Sequence, residues 1–302
     1  MQPKKSDVAD IEQNLKRILE SPCYRLAEED LDFLKSDYGR ESRVLAEYTK
    51  VERALEDARV VSTVIVFGSA RIKSPKEAEA MLKRAEQELA DSPNEQAKIA
   101  AHAQAKTAVE FSKYYQSARE FTELVAHKNN VFNEEINKRG EIRVSRDRHF
   151  VICTGGGPGV MEAANRGAYD VGEASVGLNI KLPFEQAPNP FISSDLCFNF
   201  HYFSIRKHHF LLRAKALACF PGGFGTFDEL FETLTLCQTG KMQKLPIILF
   251  GKDFWDKVVN FQYLVDVGMI CPKDLELFHY AETAEEGWKI IEDFYKDAEK
   301  NA

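Results

Sequence analysis

Twice in this chain an apolar, strand-like run stops at a cluster of glycines and resumes at once as a helix-favouring segment. The first copy reads HFVICT, then GGGPG, then VMEAAN over residues 149–165; the second reads ALACF, then PGGFGT, then FDELFE over residues 216–232. A strand that turns on glycine straight into a helix is half of a βαβ unit, whose next strand must lie parallel to the first. Glycines let a backbone come close to an anion and adopt positive φ. A helix start offers unpaired N–H donors and the positive end of the helix dipole. Two such turns on one parallel sheet therefore imply a phosphate site at its C-terminal edge. Neither is a P-loop, because the G-K-[ST] ending is missing, and neither has the G-x-G-x-x-G spacing of a dinucleotide fold. Taken singly, each reads equally well as a plain strand-to-helix turn.

Other segments extend the pattern. Val60, Val61, Val64, Ile65, Val66 and Phe67 form a β-branched run ending at Gly68-Ser69, a candidate third wall of the crevice. Residues 150–153, 175–180, 217–220 and 247–250 are the further strand candidates. Between them lie helix-like runs, an alternation that predicts an α/β fold with a doubly wound, mostly parallel sheet and helices on both faces. Residues 1–59 read as an N-terminal helical arm, with Ile11, Leu15, Ile18 and Leu19 at helical spacing, and residues 60–302 as the nucleotide-binding domain. Residues 76–128 predict a helical pair broken at Ser92-Pro93-Asn94, and Thr283-x-x-Glu286 opens a closing amphipathic helix.

Composition narrows the partners. With 44% hydrophobic residues in 302, the chain can bury a large core. A net charge of −7 argues against a grip on polymeric nucleic acid or an anionic membrane and favours a small phosphorylated ligand. The six cysteines are scattered without a C-x-x-C pair, and the N-terminus lacks a signal-peptide core, so a cytoplasmic protein is expected. His201, His208 and His209 have no metal-site spacing; neither metal nor cofactor is expected.

The segments GGGPGVMEAANRGA, LPFEQAPNP, YFSIRK, PGGFGTFDE and TLTLCQTGK, taken in that order, resemble the LONELY GUY (LOG) family, once labelled lysine decarboxylase-like. Pro221 to Glu229 match its P-G-G-x-G-T-x-x-E signature, and Arg206-Lys207 its Arg-Lys pair. The resemblance implies a Rossmann-like fold, a homo-oligomer, and hydrolysis of the N-glycosidic bond of a nucleoside 5′-monophosphate to free base and ribose 5-phosphate. It implies a catalytic pair, Arg206 and Glu229, and a phosphate and substrate site from Gly68, Ser69, Gly156, Gly157, Gly159, Lys207, Gly222, Gly223, Phe224, Gly225 and Thr226, with Glu185 and Thr235 as looser matches. The N-terminal arm and the insertion over about 76–109 depart from compact members of the family.

Bland readings stand beside these. Thr226-x-x-Glu229 is also the pattern of a capping box, and Arg206-Lys207 that of a solvated basic pair. Within the first turn of a helix, the dipole would keep Glu229 ionised, as a base or a stabiliser of positive charge. A pyridoxal-phosphate decarboxylase is one rival, lacking an identifiable Schiff-base lysine with an acidic partner for the pyridinium nitrogen. A non-catalytic module binding a nucleotide or molybdenum cofactor is the other.

Overall fold

The computed structural model describes residues 5–132, 134–136, 142–144, 147–183 and 187–300. Two compact units are present, residues 1–51 and 52–302. In the first, helix α1 (Lys5–Glu20) leads through a short turn to α2 (Leu31–Lys35) and into α3 (Arg40–Asp57). Asp30 caps α2, its carboxylate accepting from the backbone N–H of Asp32 and Phe33. Arg43 ties the turn after α2, donating to the carbonyls of Leu34 and Ser36 at 2.5 and 2.6 Å.

The second unit is built on seven strands: β1 (Thr63–Phe67), β4 (Val151–Thr154), β5 (Ser175–Ile180), β6 (Cys197–Phe200), β7 (Ala214–Cys219), β8 (Ile247–Phe250) and β9 (Phe278–Ala281). All pairs are parallel, in the order β6-β5-β4-β1-β7-β8-β9. The chain winds outward from β1 to β6, then returns to lay β7 on the other side of β1. The turns after β4, β1 and β7 thus open side by side at a reversal of strand order, where open α/β sheets place their ligands. The remaining strands, β2 (Glu134–Ile136) and β3 (Ile142–Val144), form a separate antiparallel ribbon.

The inner strands form where the sequence is uniformly apolar. Every residue of β1, β4 and β8 is buried, as a sheet covered on both faces requires. Helix α4 (Pro75–Asp91) starts at a capping box between Ser74 and Glu77, and the 37-residue α5 (Gln96–Phe132) follows. Only the second half of α5 packs on the sheet: Tyr115, Ala118, Phe121 and Val125 join α6 (Val160–Asp170) and α11 (Ala284–Lys300) over Val64, Val66, Ile152 and Ile248. Phe250 sits at the centre, stacked on Phe220 at 4.2 Å and tilted against Phe121 at 5.1 Å. The other chemistry-bearing helices are α7 (Phe203–Leu212) and α8 (Phe224–Gln238), with α9 (Lys252–Val258) and α10 (Phe261–Asp266) after β8.

Candidate active site

The three turns interlock. Ser69 N–H donates to the Pro221 carbonyl at 3.0 Å, and the Ser69 carbonyl accepts from Val160 N–H at 3.1 Å, so the β1 turn is clamped between the other two. The glycines serve this packing in distinct ways. Gly156 and Gly159 adopt φ of +73° and +71°, and a Cβ on Gly68 would strike Val160. A Cβ on Gly222 would overlap the Thr226 hydroxyl. Gly223 and Gly225 have neither excuse: their φ is not positive, and a Cβ on either would meet nothing within 4 Å. They line open space at the start of α8, which is what a backbone reserved for close approach by a ligand requires.

The Gly155 turn is braced by a buried polar network that the sequence reading missed. Thr154 donates to the Asn165 side-chain oxygen at 2.7 Å, and Asn189 donates to that oxygen at 2.9 Å and to the Gly157 carbonyl at 3.1 Å. Asn165 in turn donates to the Ser175 hydroxyl at 3.0 Å. The signal was present: Asn165 stands among Ala163, Ala164 and Ala168 on the buried face of α6, where a polar residue needs partners.

Arg206, from α7, reaches under this turn. Its Nε donates to the Leu178 carbonyl at 2.6 Å and its Nη2 to the Gly155 carbonyl at 3.4 Å, with the guanidinium over the Phe210 ring. Backbone carbonyls, not a carboxylate, hold it in place. Burial lowers its pKa, opposed chiefly by the charge of Glu229. Gly155 leaves the room it occupies, since a Cβ there would lie 2.6 Å from Nη2 and 2.9 Å from Met161 Sδ. Gly155→Ala is therefore expected to push the guanidinium aside and lower kcat by about a hundredfold, with far-UV circular dichroism unchanged. Wild-type kcat in that variant would remove Arg206 from the chemistry.

Glu229 departs from both sequence readings of its environment. Helix α8 begins at Phe224 with Gly223 as N-cap and no side-chain cap, so Glu229 lies in the second turn and no capping box with Thr226 forms. The side chain is buried, with Oε2 lacking a hydrogen-bond partner. Burial pushes its pKa up to about 7, against the pull of Lys207 and Arg206 and with the push of Glu232 and Asp228. Desolvation outweighs the helix dipole here. Cys219, beside it on β7, and Cys153, near Arg206, are buried thiols with raised pKa values, poor nucleophiles.

The other predicted residues divide. Lys207 pairs with Asp228 at 2.9 Å and Glu232 at 3.0 Å. Burial works against its charge, but these partners outweigh it and raise its pKa. With Phe224 and Thr235 it lines a groove of about 520 Å³ on α7 and α8, where Phe224 is 95% exposed and the Thr235 hydroxyl donates to the Phe231 carbonyl. Glu185 lies outside the described residues. Among the described residues no cluster of His, Cys, Asp and Glu could hold a metal ion, and no helix is long and apolar enough to cross a membrane.

Comparisons with known proteins find a family model, curated relatives and solved structures similar to this chain. Residues 161–291 match the family model described as "Possible lysine decarboxylase". The chain is 29% identical over 159 residues to cytokinin riboside 5′-monophosphate phosphoribohydrolase LOG3 of Arabidopsis thaliana, spanning 51% of this chain and 72% of the relative. It is 34% identical over 115 residues to a pyrimidine/purine nucleotide 5′-monophosphate nucleosidase of Escherichia coli, spanning 34% of this chain and 25% of the relative. Among solved structures, a molybdenum cofactor binding protein from Rippkaea orientalis aligns at 18% identity and a TM-score of 0.40, over 60% of this chain and 88% of that one. Residues 161–291 thus match the family described as "Possible lysine decarboxylase", and about half of the chain is similar to a phosphoribohydrolase of the LOG type.

Proposed function

We propose that this chain hydrolyses the N-glycosidic bond of a nucleoside 5′-monophosphate, releasing the free base and ribose 5-phosphate. The observation that carries the reading is Glu229: a buried carboxyl with a pKa of about 7, in the field of Arg206, one turn below the open backbone of Gly223 and Gly225. Breaking a glycosidic bond builds positive charge at the anomeric carbon, and an anion fixed nearby stabilises it. In this mechanism the phosphate sits at the start of α8, on backbone N–H groups and the helix dipole. Glu229 as an anion takes a proton from the attacking water, whose oxygen bonds to the anomeric carbon. The electron pair of the broken bond leaves with the base, and the proton on Glu229 passes to it. A carboxyl with a pKa near neutrality suits both proton transfers. Arg206, held by the Leu178 and Gly155 carbonyls, supplies the fixed positive charge that offsets the substrate's phosphate and keeps the carboxyl ionisable.

The decarboxylase name finds no support at Lys207. A Schiff-base lysine needs a depressed pKa, and Asp228 and Glu232 hold this one as an ammonium ion. Base release from AMP, GMP, CMP and UMP, followed by chromatography, tests the proposal. Free base and ribose 5-phosphate in equal amounts from at least one of the four, or from a cytokinin riboside monophosphate, is the expected result. No release from any of them would end it.

A further inference from the structure

Beside the glycine turns lies a cavity of about 630 Å³, within the range of small-molecule sites, and one wall of it is the helical insertion. Ser69, Gly222 and Gly223 line it, so it shares the glycine turns with the proposed nucleotide site; Arg206 and Glu229 are not among its lining residues. Its lining carries two kinds of chemistry. Arg71 and Lys73, close after Ser69 in the chain, are exposed cations that form no ion pair with any described residue. Helix α5 presents Gln104, Thr107 and Phe111, and α9 presents Phe254, whose ring packs edge-on against Phe111 with centroids 6.4 Å apart. Met81 of α4, 40% exposed, completes that apolar wall.

We propose that the α4, α5 and α9 lining of this cavity is the base pocket of the nucleotide site and that the α4–α5 insertion selects the base. The inference rests on the nucleotide reading above. An anion belongs where the two cations meet the glycine backbone, and a flat heterocycle belongs against the Phe111–Phe254 edge and the Met81 thioether. Gln104, with an amide donor and acceptor on an exposed helix surface, matches the paired donor and acceptor on the edge of a nucleobase. The Thr107 hydroxyl donates to the Ala103 carbonyl, so its free lone pairs serve as an acceptor for a ring amino group. Arg71 and Lys73 supply positive charge to the same phosphate.

Gln104 and Thr107 are exposed and outside the core, so Gln104→Ala and Thr107→Val keep the fold, checked by unchanged melting. For the best-cleaved nucleotide, each is expected to raise KM by about tenfold, the effect of one lost hydrogen bond. The order of preference among AMP, GMP, CMP and UMP should change, with kcat nearly constant. Product inhibition by ribose 5-phosphate, which carries no base, should be unaffected in both variants. Unchanged KM and base preference in both folded variants would overturn the base pocket while leaving the hydrolase intact. If the wild-type protein releases no base from any nucleotide, the hydrolase reading fails and the pocket is judged by calorimetric titration with AMP. Weaker AMP binding in the two variants, with equal binding of ribose 5-phosphate, supports it; equal AMP binding overturns it.

Discussion

Glu229→Gln is expected to produce a protein that is more stable than the wild type at pH 8 and nearly inactive. The substitution keeps shape and removes charge. Because burial raises the carboxyl from 4.5 to about 7, the folded state holds a proton that the unfolded chain releases. Stability therefore falls as pH rises from about 4.5 to 7, by about 3 kcal/mol at 1.36 kcal/mol per unit, and stays at the lower value above. A neutral amide escapes that loss. The variant should match the wild type near pH 4.5 and melt about 5–10 °C higher at pH 8. Activity should move the other way: kcat falls by a hundredfold or more if the anion stabilises the charged sugar ring. Wild-type kcat/KM should rise with pH through about 7, and the variant should lose that limb. Thermal melts and pH–rate profiles of the two proteins decide it. A variant that turns over at the wild-type rate would detach the chemistry from Glu229, and one with no gain at pH 8 would show that the carboxyl is not desolvated.

Why the site was only partly legible in the sequence follows from the physics of these same residues. The βα order was written in the continuous apolar runs of β1, β4 and β8 and in the glycines that end β1 and β4, and both patterns act locally. Strands β6 and β9 were not legible. Each is four residues long at an outer edge of the sheet, where partial exposure admits Asn199 and His279 and breaks the apolar run. The spacing of Thr226 and Glu229 matched a capping box, but where a helix starts depends on the whole turn, and here Gly223 takes the cap. The pKa of Glu229 was misjudged for a related reason. The dipole is a property of one helix, whereas burial depends on the whole fold around it, which brings Arg206 and Lys207 of α7 and Cys219 of β7 into the field of Glu229. Arg206 likewise finds its partners on β5 and the β4 turn, far away in sequence.

Removing the 5′-phosphate should cost more than any single side chain at the site. Adenosine has the same base and ribose as AMP but nothing to place on the N–H groups at the start of α8. Each charge-assisted hydrogen bond to an ion is worth about 1.5–3 kcal/mol, so losing two or three lowers kcat/KM by about a thousandfold or more. Much of that loss should fall on kcat, because binding energy from the non-reacting phosphate is what seats the anomeric carbon against Glu229. Gly223→Ala tests the same claim from the protein side. Its new methyl meets no protein atom within 4 Å, and φ at Gly223 is −99°, which alanine adopts freely. The fold should melt at the wild-type temperature or slightly above. The methyl would instead stand in the space the phosphate needs, so AMP binding should weaken by at least about tenfold, while a site that held no phosphate there would not change. Equal rates on adenosine and AMP, or full AMP affinity in a stable Gly223→Ala protein, would mean that the open backbone of α8 is not the anion cradle. The ligand would then have to be sought along the groove of Lys207 and Phe224.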